Sequence, residues 1–409
     1  MFWKGKRVLV TGITGFVGSY LARALLERGA EVYGTYRRRA DGMRPKNLVE
    51  RDILEDVSLI ECDITNISSM AQALDESCPD VIFHLAAQSF VHRSFIDPVE
   101  TFHINVTGTT NLLEAVRFKG AKPKIVFAGT SEEYGLVIAT EDQLNRIKKK
   151  GIDPFPPVQS IPEVPIKETN PLRPMSPYAV SKMAGDYAMR NYYHSFDIPT
   201  VVSRAFNHEG AGRGPMFVTS TIVRQVISLK MNETEEVKLG NVSAFRDWTH
   251  IDDVVEGYLI LAEKGKPGEV YNQGSSRTNS VLSYLLWTVE SAGWKVEKIA
   301  TINNKKEIEN PLEEDTGEMF GIPFLKTKVD KLLLEGAIDF ELDDGGILIY
   351  TDKNTLTVRF DPQRFRPSEV PILLADTRKA QQLGAKITHT VKDIIKDQMN
   401  YYLDKEHRK

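Results

Sequence analysis

Short apolar runs alternate with amphipathic stretches through the first half of this chain. Arg7 to Val10, Glu31 to Tyr36, Leu59 to Cys62, Val81 to His84, Lys124 to Ala128 and Thr200 to Ser203 read as strands. Between them, Ser19 to Arg28 and Thr107 to Phe118 carry apolar residues at helical spacing, and Ser176-Pro177 reads as the N-cap and first position of another helix. Strand and helix in alternation predict a parallel sheet with helices on both faces, so a ligand is expected along the C-terminal strand ends.

The later part of the chain is less regular. Ile338 to Leu342 and Ile347 to Thr351, joined by Asp343-Asp344-Gly345-Gly346, read as a hairpin. Val391 to Leu403 is amphipathic and expected to pack as a core helix, while the charged tail Asp404 to Lys409 is expected to fray. Between Tyr134 and Ser176 lies a stretch with Lys148-Lys149-Lys150 and Pro154, Pro156, Pro157, Pro162 and Pro165. It reads as a long surface loop, an ornament or a subunit contact more readily than a lid.

Composition narrows the class. With 409 residues, 41% hydrophobic and 26% charged, the chain has room for one large domain and a smaller one. A formal charge of −4 gives no broad pull toward nucleic acid, so a polyanionic partner needs a local basic pocket. Two cysteines, Cys62 and Cys78, make no disulfide framework and are expected to pack as small apolar residues. The N-terminus runs straight into a strand rather than a signal peptide, and no apolar stretch approaches the roughly 20 residues that span a bilayer. A cytoplasmic protein is therefore expected. No histidines have metal-ligand spacing, and Asp247, Asp252 and Asp253 read as helix-entry acids, so no metal is assigned.

Candidate chemistry starts at Thr11-Gly12-Ile13-Thr14-Gly15-Phe16-Val17-Gly18, a glycine-rich turn between a strand and a helix. Such glycines let the backbone approach a pyrophosphate at the helix N-terminus. The next strand ends in Arg37-Arg38-Arg39, where an acidic residue would suit NAD; arginine there favours the 2′-phosphate of NADP, and a solvated basic loop is the competing reading. Asp63-Ile64 and Leu85-Ala86-Ala87-Gln88 end two further strands and read as cofactor wall, although Asp63 could instead be a surface residue at a helix start.

Past the fifth strand come Thr130-Ser131-Glu132-Glu133, and later Tyr178 and Lys182, four residues apart and so expected on one helix face. An ammonium beside a phenol favours the phenolate, which would make Tyr178 a base. Glu132 adds a carboxylate base that a plain alcohol dehydrogenase does not need. Adjacent acids on an extended segment point oppositely, so only one of Glu132 and Glu133 is expected to face a substrate. Arg246 and Arg366 could grip a diphosphate, and Glu369 could accept from guanine or pair with Arg366.

These phrases, with Ser176-Pro177-Tyr178-Ala179-Val180-Ser181-Lys182, Phe206-Asn207-His208-Glu209, Leu239-Gly240-Asn241, Arg246-Asp247-Trp248 and Phe365-Arg366-Pro367-Ser368-Glu369-Val370, resemble the extended short-chain dehydrogenase/reductase superfamily. Within it the chain most resembles the GDP-mannose 4,6-dehydratase family. The resemblance implies an α/β fold: a Rossmann-type doubly wound parallel sheet in residues 1–205, with an insertion at about 137–168 and a returning segment at about 247–275, and a smaller α/β substrate-binding domain in 206–409. It implies bound NADP, a nucleotide-diphosphate sugar as substrate, and a homodimer or homotetramer. Thr130, Glu132, Tyr178 and Lys182 would be catalytic, His208 and Arg213 would border the cofactor, and Ser89 and Asn207 would face the substrate. Glu133 departs from the family, which more often has an apolar residue there; so do the 137–168 insertion and the 303–356 stretch. UDP-glucuronate decarboxylase, a related epimerase, and a cofactor-sensing scaffold on the same fold are the alternatives.

Overall fold

The computed structural model of the protein describes residues 2–38, 40, 42–149, 151–366 and 368–408. Arg39, Lys150, Pro367 and Lys409, named above, lie outside the described residues. Seven parallel strands form the central sheet, in the order Val270–Gln273, Thr200–Ala205, Lys124–Thr130, Val81–His84, Arg7–Thr11, Glu31–Tyr36, Ser58–Glu61. Chain order reverses beside Arg7–Thr11, and the loops after that strand and Val81–His84 open into the crevice where such sheets bind ligands.

Both faces of the sheet are covered, which is why its strands read as nearly continuous apolar runs. Helices Phe16–Glu27 and Ile251–Lys264 bury Leu21, Leu25, Val254 and Tyr258 against Val8, Val10 and Phe83. On the other face, helices Ile67–Ser77, Gly108–Lys119 and Pro177–Phe196 bury Met70, Leu74, Leu112, Val116 and Met189 against Leu9, Ile82 and Phe127. A second sheet of five strands, ordered Glu307–Glu309, Val296–Thr301, Gly346–Thr351, Thr355–Phe360, Val237–Leu239, shares a core with helices Val218–Lys230, Val281–Ser291 and Val391–Leu403.

Several expectations need correction. The hairpin is displaced: Gly346–Thr351 pairs with Thr355–Phe360, not with residues 338–342. Asp343-Asp344-Gly345 instead closes a single 3₁₀ turn, in which Glu341 and Asp344 cap each other's backbone and Gly345 takes φ 73°. The proline-rich stretch is not a surface loop throughout. It contains helix Glu141–Lys149, and a buried bidentate pair joins Glu163 to Arg173 at 2.8 Å for each contact. Val137, Val164 and Ile166 share a core with Ile372, Leu373 and Leu374. The tail is anchored: Arg408 donates to Glu233 at 3.0 Å and to the Tyr402 carbonyl at 2.7 Å. Cys62 is buried, but Cys78 is exposed at the left-handed end of Ile67–Ser77. Asp252 and Asp253 do enter helix Ile251–Lys264, whereas Asp247 is a buried acceptor for Ser275 and the Ala375 amide. Among the described residues, no helix is long and apolar enough to cross a membrane.

Candidate active site

A cavity of about 590 Å³ runs along the strand ends. Gly12, Thr14, Gly15, Phe16, Val17 and Gly18 form one wall, and Leu85, Ala86, Ala87, Gln88 and Ser89 another. Arg37, Asp63 and Ile64 close one end; Tyr178, Lys182, His208 and Arg213 close the other. Gly12 has φ +73°, and a Cβ there would sit 2.9 Å from the Ala86 Cα; a Cβ on Gly18 would sit 2.5 Å from the Gly12 carbonyl oxygen. The glycines thus leave a cradle that side chains would fill. Gly12→Ala is expected to lose about 1–2 kcal/mol to left-handed strain, and more to the clash. Thermal unfolding should show that loss, and absorbance of the purified protein should show less retained nucleotide.

Thr11 does not line this cavity. It is wholly buried, and its hydroxyl bonds His84 Nδ1 at 2.8 Å and accepts from the Leu85 and Ala86 amides at 3.2 Å each, fastening two strand ends together. Asp63 accepts from the Thr65 amide and hydroxyl through one oxygen, at 2.9 and 2.8 Å. Burial raises its carboxyl, but the Thr65 bonds and the Arg37 charge outweigh that and hold it below the usual carboxylate range. Of the arginine run, Arg37 is the member that reaches the cavity among the described residues.

The chemical end is built on helix Pro177–Phe196. Ser176 Oγ accepts from the Ala179 amide at 3.1 Å and Pro177 occupies the first turn, so Tyr178 and Lys182 are presented on one buried face. Thr130 stands beside the Tyr178 hydroxyl and favours its ionised form, and Lys182 Nζ lies 4.5 Å from the Phe127 ring centre. The expected lowering of the phenol is not found. Burial pushes Tyr178 up, only partly offset by Thr130, with Glu132 and Glu133 adding to the rise. Burial likewise pulls Lys182 down to about 8, with the Glu133 charge opposing. Desolvation thus outweighs the Thr130 and Arg213 contributions that favour the phenolate.

Ser131–Glu133 is a 3₁₀ turn capped by Thr130, not an extended segment, so strand alternation does not govern its two acids. The turn separates them nevertheless. Glu133 is fully buried and accepts from the Thr130 amide at 2.9 Å, while Glu132 faces Arg366, whose Nη1 is 3.6 Å away. Arg366 also lies 3.5 Å from Glu369. Glu369 in turn accepts from Arg246 Nη2 at 2.6 Å, and Arg246 spends its Nη1 on the Phe245 and Val370 carbonyls at 2.9 and 2.8 Å. Arg246 and Glu369 therefore hold each other in an ion-pair chain, and Arg366 is the more exposed of the two arginines.

His208 donates Nδ1–H to the Phe206 carbonyl at 3.0 Å, leaving Nε2 as an acceptor; burial and the Arg213 charge lower it to about 3, so it is neutral. Arg213 packs 3.6 Å from the Phe217 ring centre and 3.6 Å from Glu209. Asn207 sits in a short strand beside Trp248–His250, with its buried side-chain oxygen unpartnered among the described residues. His250, Asp252 and His389 bring potential ligand atoms within 4.8 Å of one another; His250 caps its helix, and His389 pairs with Asp253 at 3.0 Å.

Two features escaped sequence reasoning. One is the buried Glu133–Arg204–Asp186 cluster, whose only local signal is Asp186 four residues past Lys182. The other is a second cavity, also of about 590 Å³, where the two segments unlike the family meet. Thr140, Gln143 and Arg146 face Phe340, Glu341 and Asp343 there, with Asn241, Phe365 and Glu369 also lining it.

The doubly wound sheet, the glycine cradle and the Tyr178–Lys182 helix define an extended short-chain dehydrogenase/reductase. The profile described as the NAD dependent epimerase/dehydratase family matches residues 8–274, and that described as GDP-mannose 4,6 dehydratase matches residues 160–398. The chain belongs to the GDP-mannose 4,6-dehydratase family. It is 31% identical to GDP-mannose 4,6-dehydratase of Yersinia enterocolitica over 383 residues, 92% of this chain and 88% of that one. With the Sinorhizobium fredii enzyme of the same name it shares 29% identity, covering 97% of each. Among solved structures, RMD from Pseudomonas aeruginosa complexed with NADPH superposes with a TM-score of 0.65 at 21% identity, covering 98% of this chain and 99% of that one. UDP-glucose 4-epimerase of Thermus thermophilus, complexed with NAD, gives 0.66 at 23%, covering 97% and 99%. At these identities the two structures speak for the fold.

Proposed function

We propose that the protein is a nucleotide-sugar 4,6-dehydratase that converts GDP-mannose to GDP-4-keto-6-deoxymannose. The observation that carries this reading is Glu132, a carboxylate whose ion partner among the described residues is Arg366, held in the turn that Thr130 caps and close enough for its charge to act on Tyr178.

NADP fits the first cavity: the cradle of Gly12, Gly15 and Gly18 would take the pyrophosphate, and Arg37 stands where a 2′-phosphate would lie. When bound, it supplies the redox chemistry, accepting a hydride from C4 and returning it to C6, so that none is consumed. Tyr178 accepts the C4 hydroxyl proton while Thr130 hydrogen-bonds the same oxygen. Lys182 supports the phenolate once its ammonium is charged. The C4 ketone acidifies the C5 proton, which Glu132 removes and passes to the departing C6 hydroxyl so that it leaves as water; as C6 is reduced, C5 takes up a proton from solvent, balanced by the one Tyr178 gives back. His208 and Arg213 wall the reacting end of the cavity. Transfer can be followed with GDP-mannose deuterated at C4: the label should reappear at C6 of the product. Label retained at C4 would contradict the cycle.

On this reading the nucleotide would lie by Arg366, toward Glu369 and the second cavity that Glu369 lines. Arg366→Ala should lower kcat/KM by about 10- to 100-fold, the range for losing charge-assisted hydrogen bonds. The comparison to make is steady-state kinetics against UDP-glucuronate as a control substrate. A dimer or tetramer is also proposed. Exposed Ile96, Val99, Phe118 and Tyr187 lie on the Tyr178 helix or on helices packed about it, an apolar surface that a second copy would cover.

A further inference from the structure

Glu133 has no part in the chemistry above, yet its side chain is wholly buried. One of its oxygens accepts from the Thr130 amide at 2.9 Å and closes the capping box of the Ser131–Glu133 turn. The other lies 3.3 Å from Arg204 Nε. Arg204 Nε also donates to Asp186 at 2.8 Å, and the remaining Asp186 oxygen is held by Arg190 at 2.7 Å. Glu133, Asp186 and Arg204 are all essentially inaccessible to solvent.

The cluster joins the three elements that meet beneath the reacting groups. Glu133 lies in the turn that carries Thr130 and Glu132, Asp186 on the helix that carries Tyr178 and Lys182, and Arg204 in the neighbouring strand Thr200–Ala205. There is no slack in the packing: a Cβ on Gly129 would come within 2.9 Å of both Glu133 Oε1 and the Ser203 carbonyl oxygen. Burial and the Asp186 charge hold the Glu133 carboxyl well above the ordinary range, with Arg204 opposing. Stability does not explain such a group. Buried ion clusters are commonly no better for stability than apolar side chains of the same volume, so geometry is the natural reason to keep one.

We propose that Glu133 is a positioning residue: by accepting from the Thr130 amide and bracing against Arg204 and Asp186, it sets the angle at which Thr130 and Glu132 are presented to C4 and C5 of the sugar. This rests on the dehydratase reading. It differs from the reading that Glu133 is itself the base, because its carboxylate has no path to substrate.

The test compares Glu133→Gln, which keeps an acceptor oxygen and the shape, with Glu133→Leu, which fills the space without one. Both are measured as holoenzymes, with kcat expressed per bound cofactor so that misfolded protein does not count. Wild-type turnover of GDP-mannose is run alongside, since its absence would undo the dehydratase reading rather than this one. The expected result is kcat within about threefold of wild type for Glu133→Gln, and a fall on the order of 100-fold for Glu133→Leu with KM little changed, the pattern of lost orientation. Amide exchange of the Thr130 segment should be faster in the leucine variant alone. Wild-type kcat per active site in Glu133→Leu would overturn the proposal, and so would equal damage in both variants.

Discussion

Glu132→Gln is expected to lower dehydration by about 10²- to 10⁴-fold, the usual worth of a positioned acid-base group. The protein should remain folded and keep its cofactor. Among the described residues Glu132 pairs with a partly exposed Arg366, which also has Glu369 beside it, so an amide of the same size leaves no buried charge stranded in the core. Because Glu132 acts after C4 has been oxidised, the variant should still take substrate through the first step. Reduced nicotinamide should therefore build up on mixing with GDP-mannose, and no deuterium should enter C5 from heavy water. Unimpaired water loss in this variant would remove the carboxylate from the mechanism.

Tyr178→Phe should cost a similar factor, but stop the cycle earlier. Without the phenol no group is placed to take the C4 hydroxyl proton, so reduced nicotinamide should not appear at all. The two variants thus separate by one spectroscopic trace. Removing one buried hydroxyl should change stability by only about 0.5–1.5 kcal/mol, which thermal unfolding can confirm. A Tyr178→Phe protein that still accumulates reduced cofactor would transfer the first proton step to another residue.

The central sheet was legible because helices cover both of its faces and its strands carry a nearly continuous apolar signal; Glu31–Tyr36 and Val81–His84 fall where the pattern puts them. Tyr178 and Lys182 were equally plain, since an N-cap, a proline and a four-residue spacing are local facts. What the sequence hides is partnership between distant segments. Arg246 reads as a free guanidinium until Glu369 and the Val370 carbonyl, more than 100 positions away, are seen to occupy it. Thr11 reads as part of the phosphate turn, but the amides of Leu85 and Ala86 claim its hydroxyl. Asp343-Asp344-Gly345-Gly346 carries a turn signal that fits a hairpin or a helix end, and only pairing with Thr355–Phe360 decides it. The roles of Glu132 and Glu133 depend on a turn three residues long, with Arg204 and Asp186 arriving from elsewhere.

Most direct is mass spectrometry of GDP-mannose incubated with the purified protein and a sub-stoichiometric amount of NADP+. The account predicts complete conversion to a product lighter by one water, with no net reduction of cofactor. Conversion to an epimer of unchanged mass, or release of carbon dioxide from UDP-glucuronate while GDP-mannose stays intact, would contradict it.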